Sequence, residues 1–281
     1  MLKQRIITAL LMMAVLLPAL LADAAWPFVV LMLVMISAAG WEWGRLNGLA
    51  MTPSLLLGGA VAVGAGAAMG AGWVQHAPLG LWTLATLVWV LGGTFALRGG
   101  VAAWPGHSRL MRLALGALIL WMAWLAVAAA KTLGVNFILS LFCLVWAADI
   151  SAYFGGRALG RRKLAPAISP GKSWEGVYSG MAGVCLLALA WLALDGWLAA
   201  RGVPASPSLY TLLLSRYGWL GAALVLVFLT AMSVVGDLFE SLVKRAAGAK
   251  DSSRLLPGHG GVLDRIDALL PVCPIALGLI S

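Results

Sequence analysis

Between Arg45 and Arg98 the chain carries no Asp, Glu, Lys or Arg. A helix needs roughly 20 apolar residues to cross the hydrocarbon core of a bilayer, so this stretch alone has room for two crossings. The rest of the chain is similar: hydrophobic residues make up 62% of it and charged residues 10%. Soluble domains carry about 25% charged residues, so too few are present to clothe a water-exposed surface. Nine apolar runs stand out, at about 6–22, 24–40, 54–74, 79–97, 110–130, 133–153, 174–195, 218–236 and 262–281. Backbone polar groups in lipid must pair within their own segment, and no alternating strand pattern is present, so these runs are expected to be helices. The expected fold class is an all-α integral membrane protein of about nine transmembrane helices.

Charge sets the orientation. With the N-terminus inside, only Lys131, Arg201 and Arg216 of the 19 Lys and Arg fall on the outer side. This is the asymmetry of the positive-inside rule, and it predicts a cytoplasmic N-terminus in a bacterial-type inner membrane. The net charge of +9 then reflects topology and anionic headgroups, and no nucleic-acid partner is expected. Lys3, Arg5 and the sequence Ala22-Asp23-Ala24 around the first apolar run have the form of a cleavable signal. Further helices follow directly, and the expectation is that the segment stays as a first helix. Cys143, Cys185 and Cys273 lie far apart in or near apolar runs, without zinc or disulfide spacing.

The chain divides by polarity. Residues 1–130 hold about five spans and few polar groups; Trp41-Glu42-Trp43 there reads as an interfacial aromatic belt with a paired acid. Residues 131–281 are expected to form a catalytic transmembrane region with polar cytoplasmic loops. Asp149, Glu175, Asp237, Glu240, Asp251, Asp264 and Asp267 all fall in two blocks, 149–177 and 233–267. Ionisable groups beside a membrane are costly and usually serve a site.

If the eighth span continues as a helix, Asp237, Ser241 and Lys244 share one face. That line presents a metal-binding carboxylate, a hydroxyl and a phosphate-binding ammonium. Lys250-Asp251, Pro257-Gly258-His259-Gly260-Gly261 and Asp264-Arg265-Ile266-Asp267 follow. A Gly-rich turn entering a helix lets backbone N–H groups reach a phosphate. Asp264 and Asp267 are spaced for one helical face, and with Asp237 they make a hard oxygen site suited to Mg2+. His259 fits a metal ligand, a proton carrier or a turn-stabilising residue, the last being favoured. In the other block, Ser169 before Pro170 fits a helix N-cap with proline at the first helical position, followed by Lys172 and Ser173. Two apparent motifs fail. Gly171-Lys172-Ser173 lacks the earlier glycine of a P-loop, Pro166 standing there. Asp195-Gly196 with Arg201 lacks the spacing and second aspartate pair of CDP-alcohol phosphotransferases.

The run Ser241 to Arg245, Lys250-Asp251 and Leu256 to Asp267, with the blocks Asp149 to Gly160 and Ser169 to Gly176, resembles the phosphatidate cytidylyltransferase (CDP-diacylglycerol synthase) family. The likeness covers roughly residues 145–270. It implies transfer of a cytidylyl group from CTP to phosphatidate, giving CDP-diacylglycerol and pyrophosphate. It also implies Mg2+, with a second cation left open, and a homodimeric helical membrane fold with a polar cavity facing the cytoplasm. Lys244, Asp237 and Asp264 would then be catalytic, and Asp237, Asp264 and Asp267 metal-binding. Ser169, Lys172, Ser173, Ser241, Arg245, Lys250, Asp251, His259, Gly260, Gly261 and Arg265 would contact CTP or phosphatidate. The family more often has lysine where Gly171 stands. The competing expectations are a CTP-dependent polyprenol or phytol kinase and, from another class, a lipid transporter.

Overall fold

The computed structural model describes residues 2–281; the side chains of residues 2–5 and of Leu79 lie outside the description, and with them the expected roles of Lys3 and Arg5. The chain is a helical bundle. In order it forms α1 (Leu2–Leu21), α2 (Trp26–Leu46), α3 (Met51–Gly70), α4 (Leu79–Leu87), α5 (Thr94–Ala103), α6 (Arg109–Thr132) and α7 (Val135–Leu159). Strands β1 (Lys163–Ala165) and β2 (Ser169–Ser173) follow, then α8 (Trp174–Ala200), α9 (Leu209–Ala246), α10 (Leu263–Ile266) and α11 (Leu269–Ile280). A π-helical turn, Val88–Gly93, joins α4 to α5.

Seven helical segments are long and apolar enough to cross a membrane, Gly80–Gly106 counting as one of them. The first apolar run forms α1 and the last forms α11, which is 12 residues long. At 1.5 Å per residue α11 spans only about 18 Å. It is buried along most of its length and packs against α4, α6 and α9, so it lies in the bundle core. A second departure from the sequence reading is the two-stranded antiparallel sheet of β1 and β2. It lies between α7 and α8, where the residues are polar and no longer meet the demands of lipid.

Helices α2, α3, α7 and α8 approach closely because small residues line their seams. A Cβ on Gly58 would collide with the carbonyl oxygen of Ser37, and one on Gly180 would sit 3.0 Å from the carbonyl oxygen of Ala148. Small residues at such crossings let backbones meet where no water is available to drive association. Helix α9 breaks at Gly218, whose φ of 66° is available to glycine at little cost. The piece after the break is about 40 Å long, longer than the roughly 30 Å of hydrocarbon that a spanning helix crosses. One face of its C-terminal turns carries Phe239, which stacks on Trp43 at 5.9 Å and meets Trp104 edge-on at 5.4 Å and Trp89 at 5.5 Å. The aromatic cluster fixes the rotation of α9 and turns Asp237, Ser241 and Lys244 the other way.

At the opposite end of the bundle, the start of α7, the end of α8 and the start of α9 are tied by one carboxylate. Asp195 accepts from Asn136 Nδ2 at 2.9 Å, Ser208 Oγ at 2.5 Å and Thr211 Oγ1 at 2.6 Å. Lys131 donates to the carbonyl oxygens of Leu20 and Ala22 at the end of α1. Asp195 is thus a structural tie, consistent with its lack of a phosphotransferase motif. Replacing it with alanine strands three partly buried donors. D195A is expected to lower unfolding free energy by about 1–3 kcal/mol, read as a drop in the thermal unfolding midpoint in detergent.

Candidate active site

The polar residues of α7, α9, the β1–β2 hairpin and the 250–267 segment gather at one end of the bundle. They form two neighbouring groups along one face of α9.

The first group surrounds a cavity of about 410 Å3 lined by Asp149, Arg157, Ser169, Lys172, Ser173 and Asp237, among others. Lys172 projects from β2 and pairs with Asp237 on α9, each side chain about a quarter exposed. Ser241, one turn on, donates to Asp237 Oδ1 at 3.3 Å. The hairpin that carries Lys172 is held by Glu175 in the first turn of α8. Glu175 accepts from the backbone N–H of Arg161 at 3.0 Å and of Arg162 at 3.1 Å, and from Arg162 Nε at 3.2 Å. Helix α8 is capped by Ser173, whose Oγ accepts from Gly176 N. The expected cap at Ser169 is therefore corrected: Ser169 and Pro170 belong to β2, paired with β1, and the helix starts four residues later.

The second group centres on Lys244 and Asp264. Lys244 Nζ lies 2.6 Å from both Asp264 Oδ1 and Glu240 Oε2. The oxygens of Glu240, almost fully buried, receive no well-directed hydrogen bond despite that short separation. Asp264 Oδ2 accepts from the backbone N–H of Gly261 at 2.7 Å and of Ser252 at 2.9 Å, and from Ser252 Oγ at 3.0 Å. Burial alone would raise the Asp264 pKa; hydrogen bonds from Lys244, Gly261 and Ser252 outweigh it and hold the carboxyl below its usual range.

Behind this group lies Glu42 of α2, with 0% of its surface exposed. Its Oε1 accepts from Ser253 Oγ at 2.6 Å and Val262 N at 2.9 Å, and its Oε2 from Leu263 N at 2.7 Å and Ser252 Oγ at 3.1 Å. These contacts involve the turn in which the sequence places a phosphate cradle at Gly260-Gly261. The N–H groups of residues 261–263 already serve two internal carboxylates, those of Asp264 and Glu42. Glu42 is also not an interfacial belt residue. Its signal was present in the sequence as an acid inside an apolar helix, the kind of residue that marks a site by default.

Asp267 follows α10 and accepts from Ala268 N at 2.8 Å. Desolvation, reinforced by the nearby charges of Asp237 and Asp149, pushes its pKa up to about 8. Among the described residues no three His, Cys, Asp or Glu side chains gather closely enough to hold a metal ion by themselves. Asp237, Asp264 and Asp267 therefore do not close into one cage: Lys172 draws off the first and Lys244 the second. The oxygens fit Mg2+ in another way, since that ion is commonly bound by one or two carboxylates with water and substrate phosphates completing the shell. His259 sits in the turn closed by its N–H to Leu256 O at 2.8 Å, with Nδ1 buried and without a hydrogen-bond partner. Arg245 is exposed and reaches the carbonyl oxygens of Ile168 and Ala249, while Lys250, Asp251 and Arg265 are exposed beside the site.

Residues 3–281 match the model of the cytidylyltransferase family. The chain is 42% identical to a phosphatidate cytidylyltransferase of Pseudomonas aeruginosa over 292 residues, covering 100% of this chain and 97% of the relative. It is 46% identical to the Haemophilus influenzae phosphatidate cytidylyltransferase over 141 residues, half of this chain and 44% of that protein. A Staphylococcus epidermidis phosphatidate cytidylyltransferase is 39% identical over 147 residues, 50% of this chain and 48% of the relative. The chain that builds this paired-lysine, multi-carboxylate site belongs to the cytidylyltransferase family.

Proposed function

We propose that this protein transfers the cytidylyl group of CTP to phosphatidate, releasing pyrophosphate and forming CDP-diacylglycerol for phospholipid synthesis. The observation that carries this reading is the end-to-end likeness to the Pseudomonas aeruginosa enzyme. The site suits the chemistry. A phosphate oxygen of phosphatidate bonds to the α-phosphorus of CTP, while the bond from that phosphorus to the bridging oxygen breaks and pyrophosphate leaves with the electron pair. Both reactants are anionic, so the main requirements are alignment and charge neutralisation. Lys172 and Lys244 supply positive charge along the α9 edge, and each is held in place by an aspartate before substrate arrives. A phosphate monoester has a second pKa of about 6, so the attacking oxygen is already ionised near neutrality and no side chain has to act as general base.

Mg2+ is the proposed cofactor, with Asp237, Asp264 and Asp267 as the oxygen donors available to it; when bound, it offsets charge on the leaving pyrophosphate. The distribution of Lys and Arg supports an inner-membrane protein with the site facing the cytoplasm, where CTP is present. A homodimer is part of the same proposal, on family resemblance.

Purified protein given CTP, phosphatidate and Mg2+ is expected to form CDP-diacylglycerol and pyrophosphate, with chelator abolishing both. Release of CDP with a phosphorylated lipid alcohol would instead identify a kinase, and nucleotide-independent lipid flux in liposomes a transporter. D264N removes one of the two carboxylates that flank Lys244 and is expected to lower turnover by about 10- to 100-fold in protein that still folds. The raised pKa of Asp267 gives a pH dependence. Below about pH 8 a proton occupies the carboxyl and competes with the cation; above it the carboxylate is free. The Mg2+ concentration for half-maximal rate is therefore expected to fall between about pH 7 and pH 9, and this dependence should weaken in D267N.

A further inference from the structure

Glu42 lies on the second helix, more than two hundred residues from the segment it contacts. It is a fully buried carboxylate that meets four donors, and none of them is a lysine, arginine or histidine. Two are the N–H groups of Val262 and Leu263, immediately before Asp264. A third, the hydroxyl of Ser252, lies within hydrogen-bond distance of both Glu42 Oε2 and Asp264 Oδ2, with one proton to share. Gly261 leaves room for this approach: a Cβ there would collide with Glu42 Oε1 and with Ser252 Oγ. The glycine is thus needed to let an internal anion in. A carboxylate buried this way loses its hydration and depends on every donor it meets, so the loop and the acid fix each other.

We propose that Glu42 is a positioning residue for the cytidylyl-transfer reaction. Its carboxylate anchors residues 252–263 and, through Ser252 and the peptide units of 262 and 263, sets where Asp264 presents its oxygens to Lys244 and to substrate-borne charge. The proposal rests on the function proposed above. It assigns the N-terminal helices a direct part in the reaction geometry in addition to membrane embedding.

The test is E42Q, which keeps the shape but points an amide NH2 at donors that need an acceptor. In E42Q turnover is expected to fall about 10- to 100-fold, and more Mg2+ should be required for half-maximal rate. Amide exchange should accelerate in residues 252–264 while α2, α3 and α6 keep wild-type protection. E42D, which retains the charge, should recover part of the rate. G261A should reproduce the E42Q pattern by displacing the carboxylate. Turnover and Mg2+ requirement within about twofold of wild type would overturn the proposal. So would loss of rate accompanied by faster exchange throughout α2, α3 and α6, which marks a general packing defect. If E42Q does not accumulate, S252A removes only the hydroxyl between the two carboxylates and must shift the same readouts in the same direction, or the proposal fails. Absence of product from the wild-type protein would count against the function alone, because the exchange comparison reports on Glu42 without turnover.

Discussion

Carboxylates set among apolar helices are the constraint on which the rest of this structure depends. An ionised carboxyl taken out of water costs several kcal/mol unless other groups replace its hydration. Here each buried or half-buried acid is met in its own way. Asp237 has Lys172, Asp264 has Lys244 and three loop donors, and Glu42 has backbone N–H groups and two serines. Asp267 has little beyond one backbone donor, and its neighbours Asp237 and Asp149 repel its charge.

The apolar and polar halves of the problem are solved by the same helix. The C-terminal turns of α9 bury Phe239, Leu242 and Val243 on one side and hold Asp237, Ser241 and Lys244 on the other. The tryptophan cluster contributes from α2, the π-turn region and the segment after α5, so residues from across the N-terminal half determine which way the reactive edge looks. Glu42, one residue before Trp43, comes from the same helix. Packing and chemistry are thus joined at consecutive positions of α2.

Much of this was legible in the residues. The apolar runs became helices, and the i, i+4, i+7 spacing of Asp237, Ser241 and Lys244 correctly placed them on one face, because both follow from local periodicity. What was hidden depended on distant partners. Nothing near Ser169-Pro170 reveals that this dipeptide pairs with β1 and leaves capping to Ser173. Likewise only the fold shows that a carboxylate from residue 42 meets the N–H groups of Val262 and Leu263. Asp237, Asp264 and Asp267 read as a set of oxygen donors in sequence, and only the fold shows that Lys172 and Lys244 pair with two of them.

The two-faced character of α9 also constrains how such a chain can vary in length. Each residue advances a helix by about 100°, so inserting or deleting one residue between Ala222 and Gly236 would swing Lys244 toward the tryptophans and Phe239 toward the cavity. Upstream of Gly218 the same change is absorbed, because the break there uncouples the two pieces of helix. The register of α9 after Gly218 is therefore held from both faces at once, by the aromatic cluster on one and the acid–lysine edge on the other.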